Sequence, residues 1–228
     1  MRTIDRKTGS RAEEGRSRQD TLSQIRAAGL QLIYQRGYEG MGLRLLAAEA
    51  GIGQSTLYGH YANKQEVLVD LICRHMEELL SCLHRAVPAD APPFARFLTF
   101  LRFHLTYHMR RPREVFICYS ELRSLEPANL ARVTDLRRRY EHALIAIIRD
   151  GMAAGVMRRA DPRVAAYGLL AMLSGVPVWF DPQGPLSEEE VCAEYIRLAV
   201  AAVADPLEAA LSDRTIATPL PDSPARKA

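Results

Sequence analysis

Apolar residues recur every three or four positions along most of this chain, and nowhere do they alternate long enough to suggest a strand. From Asp20, the residues Leu22, Ile25, Ala28 or Gly29, Leu32 and Ile33 mark one helical face, with Asp20 as N-cap and Gly37 as C-terminal stop. A second helix is predicted from about Leu43 to Ala50, stopped by Gly51, and a third from about Gln54 to Tyr61. Asn63 or Ala62 opens a long fourth helix that carries Val67, Leu68, Leu71, Ile72, Met76, Leu79, Leu80 and Leu83 on one face and ends before Pro88. Pro92-Pro93 restart the chain into an amphipathic helix through Phe94, Phe97, Leu98, Leu101, Leu105 and Met109. A shorter helix around Glu114 to Leu125 follows Pro112, and a long one runs from beyond Pro127 to the region of Gly151 to Gly155. Asp161-Pro162 is an N-cap followed by proline at the first helical position. Ser187-Glu188-Glu189-Glu190 is a capping box, and it opens a last helix striped by Val191, Tyr195, Leu198 and Ala202. The pattern predicts an all-α fold of about nine helices with no internal repeat.

The 228 residues suffice for one large domain or two small ones, and 48% hydrophobic with 25% charged residues is ordinary for a soluble folded chain. A net charge of +3 does not by itself identify a nucleic-acid partner, so any such claim rests on motifs. Cys73, Cys82, Cys118 and Cys192 lack CxxC spacing, which points to neither a disulfide framework nor a zinc site and suggests the reducing cytoplasm. Residues 1–17 are polar and mildly basic, lack a signal-peptide core, and read as a flexible arm. Such arms can enter a minor groove, and solvated tails have the same composition. Residues 212–228, rich in Pro, Asp and Ser, read as a disordered tail. The uncharged run Val164 to Phe180 is short for a membrane span and is interrupted by Gly168, Gly175 and Pro177. It fits a helix buried on several sides at a subunit interface, with no membrane.

The stretch Arg44 to Tyr61 carries the chemistry. A short apolar-patterned helix, a glycine turn at Gly51 and a second short helix opening on Gln54-Ser55-Thr56 make a helix-turn-helix. Ala47 and Ala50 are small enough for two helices to cross closely. Gln54 can bond adenine bidentately, and Ser55 and Thr56 can serve base or phosphate. Arg44 is a phosphate candidate, although a lone arginine is also an ordinary solvated residue.

Gly37-Tyr38, Leu46-Ala47-Ala48-Glu49-Ala50-Gly51-Ile52 and Ser55-Thr56-Leu57-Tyr58-Gly59-His60-Tyr61-Ala62-Asn63-Lys64-Gln65-Glu66-Val67-Leu68 together resemble the signature of the tetracycline-repressor (TetR) family. The resemblance implies a DNA-binding domain over 18–65 and a ligand-binding and dimerisation domain over 66–211. By similarity, Tyr58, His60 and Lys64 are phosphate contacts, which fix register without reading sequence. Of the two tyrosines, Tyr61 is assigned to the core and Tyr58 to the phosphate. Two departures stand out. Met41-Gly42 occupies the entry to the second helix, where many members place Thr or Ser, and the poor helix former Gly59 lies in the reading helix.

Beyond residue 85 the chain is less explicit. Phe97, Leu101, Phe116, Tyr119, Tyr140, Met172 and Trp179 are the candidate effector-pocket residues, although such residues are more often simple core than ligand wall. The segments Tyr119 to Leu125, Arg137 to Glu141 and Trp179 to Ser187 are similar to TetR-type repressors of fatty-acid and steroid-ring catabolism, whose effectors are acyl-CoA thioesters. An anionic effector would suit Arg123, or Arg102 or Arg113. Glu121 pairing with Arg113 or Arg123 on the surface is the competing reading.

His104 and His108, at i and i+4, read as partly exposed packing residues, and no metal or cofactor is expected. The chain has no phosphate loop and no nucleophile elbow, so an enzyme is disfavoured. The expectation is a repressor of a catabolic operon that binds a palindromic operator as a homodimer through its last two helices and is released by an acyl-CoA thioester. The alternatives are a regulator of efflux or stress genes that senses a lipophilic compound, and an activator or architectural protein that senses nothing.

Overall fold

The computed structural model describes residues 7–205, with side chains from residue 18 onward. Met1–Arg6 of the expected arm and the whole expected tail lie outside the described residues. The fold is all-α. Its helices are α1 (Lys7–Gly40), α2 (Leu43–Glu49), α3 (Gln54–Tyr58), α4 (Lys64–Ala86), α5 (Pro93–Met109), α6 (Pro112–Ser120), α7 (Pro127–Ala153), α8 (Pro162–Leu173), α9 (Val176–Trp179) and α10 (Glu188–Val203). A 3-10 turn, Leu122–Ser124, follows α6. Among the described residues, nine α-helices remain if the single turn α9 is set aside. Among the described residues the only β-type pairing is an isolated antiparallel bridge between Met157 and Ala204.

Several boundaries differ from the sequence pattern for local reasons. α1 begins at Lys7, so residues 7–17 are helical where an arm was expected. That stretch lacks proline, and its Lys, Arg, Ala and Glu residues favour helix, whereas Gly9 and Gly15 oppose it. Near its other end Gly37 has φ 71° and ψ 166°, a conformation essentially restricted to glycine, so the chain kinks there before Tyr38–Gly40. The uncharged run after Asp161 divides into α8 and α9. Asp161 accepts from the Arg163 amide with Pro162 at the first position, and Ser187 and Glu190 form the reciprocal capping box. No helix of the described residues is long and apolar enough to cross a membrane.

Contacts divide the chain into two compact units. The first comprises Met1–Met76 with Arg113–Asp135, and the second Glu77–Pro112 with Leu136–Ala228. The division expected at 65/66 therefore does not coincide with these units: α6 and the start of α7 group with the helix-turn-helix. The first unit has its core around Ile25, Leu32, Ile33, Met41, Leu46, Leu57, Val67 and Leu68, all essentially inaccessible to solvent. Gly29 marks the close approach of α1 to α4, since a Cβ there would lie 3.2 Å from Val67 Cγ1.

In the second unit α10 packs on α5 and α8, and α9 packs on α5. The end of α10 is pinned by main-chain bonds, with the Arg158 amide donating to Val203 O at 2.9 Å and the Asp205 amide to Val156 O at 3.1 Å.

Candidate nucleic-acid interface and effector residues

The turn between α2 and α3 is closed by main-chain hydrogen bonds: the Gly51 amide donates to Ala48 O at 3.1 Å and the Ile52 amide to Ala47 O at 3.0 Å. Gly51 supports this turn with φ 68°, where a β-carbon would be strained. Gly42 and Gly53 stand at the N-caps of α2 and α3 without a side-chain cap bond. Five residues cannot hold a helix alone. α3 is held by Leu57, which is fully buried, a burial contributing about 1.5–3 kcal/mol. The helix ends at Tyr58, earlier than the Tyr61 expected, because Gly59 takes the C-cap with its amide on the Ser55 and Thr56 carbonyls. A Cβ at Gly59 would lie 3.2 Å from Thr56 O, within the turn itself.

This frame leaves Gln54, Ser55, Thr56, Tyr58 and Arg44 exposed, with His60 and Lys64 half-buried. Tyr61 is buried in the core, as expected, whereas Tyr58 is exposed. Lys64 is already engaged within the protein. Its ammonium lies 2.9 Å from Glu39 Oε2 and 4.3 Å from the centre of the Tyr38 ring. The start of α4 is capped by Asn63, whose Oδ1 accepts from the Glu66 amide, while Glu66 accepts from the Ala62 amide.

Two networks that the sequence reading did not identify hold this unit. Asp70 accepts Arg26 Nε at 2.6 Å, Arg26 Nη2 at 2.9 Å and the Tyr61 hydroxyl at 2.6 Å, tying α1 and the end of the reading segment to α4. Burial acts to raise the Asp70 carboxyl, but the hydrogen bonds from Arg26 and Tyr61 and the nearby Arg74 cation bring it below its ordinary value. The Tyr61 hydroxyl is pushed upward by burial and by its bond to Asp70. A signal for this network existed in the sequence: Asp70 interrupts the apolar run Val67-Leu68-Val69 and Leu71-Ile72-Cys73.

The second network centres on Gln65, which is buried. Its Nε2 donates to the Tyr38 hydroxyl at 3.1 Å and to Ser124 O at 3.0 Å. Its Oε1 accepts from the Glu126 amide at 3.2 Å and from Asn129 Nδ2 at 3.5 Å.

The candidate effector residues are divided between the two units. Phe116, Tyr119 and Arg123 belong to the first unit, whereas Phe97, Leu101, Tyr140, Met172 and Trp179 belong to the second. Phe116 packs edge-on against Tyr34 with centroids 5.3 Å apart, and both remain partly exposed. Arg113 donates to Gln31 Oε1 at 2.6 Å. Glu121 accepts from the Tyr38 amide at 3.3 Å and from the Ser124 hydroxyl at 2.8 Å, groups other than the arginines of the competing reading. Tyr119 and Arg123 are exposed, Met172 is half-buried, and Trp179 stacks on Tyr195 at 6.1 Å.

In the second unit Phe97 and Leu101 are fully buried, and Tyr140 nearly so. His104 and His108, expected to be partly exposed, are buried and stacked with ring centres 3.9 Å apart. His104 Nδ1 is hydrogen-bonded with the Tyr140 hydroxyl at 2.9 Å, its Nε2 lies 3.3 Å from Ser174 Oγ, and His108 Nδ1 donates to His104 O at 2.8 Å. Burial first, and then the neighbouring His108, hold His104 neutral, far below the usual imidazole range. Among the described residues no group of three or more His, Cys, Asp or Glu side chains is arranged to hold a metal ion.

Residues 25–71 match the bacterial regulatory proteins of the tetR family, and residues 90–203 match the tetracyclin repressor-like C-terminal domain. The transcriptional repressor KstR2 of Mycolicibacterium smegmatis is 22% identical over 189 residues, spanning 82% of this chain and 91% of KstR2. A solved tetR-family regulatory protein from Rhodococcus RHA1 superimposes with a TM-score of 0.76 at 25% identity, covering 81% of this chain and 97% of that one. AibR, solved in complex with isovaleryl coenzyme A and operator DNA, superimposes with a TM-score of 0.71 at 26% identity over 77% of this chain and 97% of AibR. With a helix-turn-helix that exposes Gln54, Ser55 and Thr56 and both halves matched, this chain belongs to the TetR family of DNA-binding transcriptional regulators and is not an enzyme.

Proposed function

We propose that this chain is a dimeric repressor of a catabolic operon, released from a palindromic operator by an acyl-CoA thioester. The observation that carries the DNA half is the exposed first turn of α3, anchored from beneath by Leu57. Gln54, Ser55 and Thr56 read base edges, while Arg44, Tyr58, His60 and Lys64 meet phosphates.

Dimerisation is supported by a second apolar face on the C-terminal helices. α10 buries Cys192, Ile196, Ala199 and Val200 within the subunit, yet Leu198 is 56% exposed. On α8 and α9, Val164, Tyr167 and Val178 are exposed as well, the last at 85%. Two copies of such a surface make a four-helix interface and hold two reading helices about 34 Å, or a multiple of that, apart.

The acyl-CoA assignment draws on the AibR complex and on the similarity of Tyr119 to Leu125 and Trp179 to Ser187 to regulators of acyl catabolism. The effector acts in proportion to its preference for a state with a different reading-helix spacing. The test is a gel shift on the upstream region of this chain's own gene, with acetyl-, isovaleryl- and long-chain acyl-CoA and with free coenzyme A as control. Loss of the shifted band with one thioester class and not with coenzyme A is expected; full retention with every thioester overturns the effector assignment.

A further inference from the structure

We propose that Glu39 competes with operator phosphate for the Lys64 ammonium, and so restrains both the affinity and the salt dependence of operator binding. This rests on the reading above, in which Lys64 meets a phosphate. The Lys64 side chain is 34% exposed, packed over Tyr38 and bonded to Glu39 Oε2 at 2.9 Å, whereas the Glu39 side chain is 84% exposed. The lysine is therefore the positioned member of the pair, and the glutamate reaches to it from solvent.

Tyr38 itself is fixed, since its hydroxyl accepts from buried Gln65 and its amide donates to Glu121. The ring beneath Lys64 is thus a rigid platform on which the ammonium has a defined place. A phosphate oxygen bonded to that ammonium at about 2.8 Å would lie within about 6 Å of the Glu39 carboxylate. Two anions sharing one cation repel, so DNA binding requires Glu39 to withdraw or to be tolerated at a cost. An exposed ion pair is weak enough to be broken in this exchange. Glu39 thereby lowers the net gain from Lys64 without removing the contact.

The experiment measures operator affinity of full-length wild type, Glu39→Gln, Lys64→Ala and the double variant by fluorescence anisotropy, on a duplex of the upstream region. Potassium chloride is varied from about 50 to 200 mM, the range in which phosphate contacts dominate the response. Glu39→Gln is expected to tighten binding about 2- to 5-fold per half-site, or about 4- to 25-fold for a dimer. It should also steepen the slope of log affinity against log salt by up to about 0.9 per half-site. Lys64→Ala should weaken binding and flatten the slope, and in that background Glu39→Gln should change nothing.

Unchanged affinity and slope in Glu39→Gln overturns the proposal, as does an equal gain with and without Lys64, which would make Glu39 a general repulsive charge. Lys64→Ala binding like wild type overturns it too, by removing the contact. Thermal melts of the four proteins exclude misfolding as the cause. A wild type that ignores the duplex overturns the DNA reading as a whole, whereas the other adverse results leave it standing.

Discussion

Replacing Asp70 with asparagine preserves the side-chain outline and removes the charge that collects three hydrogen bonds, two from Arg26 at 2.6 and 2.9 Å and one from Tyr61 at 2.6 Å. A charge-assisted bond is roughly twice as strong as a neutral one, and a neutral bond contributes about 1 kcal/mol net, so losing the charge across three bonds costs about 3 kcal/mol before screening. Asp70 and Arg26 retain 28% and 21% side-chain exposure, and water takes up part of what the carboxylate gave. The asparagine must also turn its NH2 toward one of the former donors. The expected destabilisation is about 1–2 kcal/mol after this screening. Urea unfolding at a fixed protomer concentration should show a lower midpoint with an unchanged slope. Tyr61→Phe alone should cost about 1 kcal/mol, and it should cost less in the asparagine background because the two share one acceptor.

The same substitution has a pH signature. The Asp70 carboxyl lies lower folded than unfolded, so the unfolded chain binds the proton more readily. Its contribution is therefore complete above the unfolded carboxylate value of about 3.9 and is lost as pH falls through the lower folded value. Wild type should lose stability over that acid window, and Asp70→Asn should lose less over the same interval. Equal midpoints for wild type and variant at neutral pH, or parallel acid limbs, would refute the claim that this carboxylate ties the reading segment to α4.

Gln54→Ala should weaken operator binding by about 1–3 kcal/mol while leaving binding to unrelated duplex unchanged, measured by competition gel shift; equal loss on both DNAs would place Gln54 on the backbone. His104 is held neutral in the fold by burial and by His108, and an unfolded imidazole titrates near 6.5. Its contribution is thus intact above about 6.5 and declines as pH falls below that, so a His104→Gln variant should show a flatter urea midpoint between pH about 6.5 and 5. Leu198→Asp, at a half-exposed position on α10, should shift the protein toward monomer in light scattering and weaken operator binding with it; an unchanged dimer would move the interface elsewhere.

Much of this architecture was legible in the sequence because its signals are local. The stripe on α4, the proline after Asp161 and the Ser187 capping box each involve residues within a turn of one another, and each forms as read. The exposed first turn of α3 was legible for the same reason. What escaped were features set by residues distant in sequence. Phe116 reads as a cavity wall by composition, yet its partner is Tyr34 on α1. His104 and His108 read as partly exposed, but stacking and bonds to Tyr140, Ser174 and main chain let them be buried without an unmet ring nitrogen on His104. The start of α1 escaped for the opposite reason, because residues 7–17 are polar and show no apolar period to read.

Lys64 and Gln65 are adjacent in sequence and alike in polarity, and the fold gives them opposite fates. Gln65 has two donors and two acceptor sites on its amide, and all four are directed: outward to the Tyr38 hydroxyl and Ser124 O, inward from the Glu126 amide and Asn129. Flipping the amide would set donor against donor at Glu126 and acceptor against acceptor at Ser124, so one orientation is specified. A glutamate would face Ser124 O with a charge, and a leucine would strand the Glu126 amide, a loss of about 1–3 kcal/mol for a buried polar group. The first turn of α4 is therefore fastened to the segment from Ser124 to Asn129, which lies some sixty residues later in the chain. The rise per residue in a helix is about 1.5 Å, so fixing Gln65 fixes where the Lys64 backbone stands. The ammonium that Glu39 and Tyr38 receive is consequently placed by residues far beyond the helix-turn-helix. These bonds join Gln65 to the segment Arg113–Asp135, which groups with the DNA-reading residues.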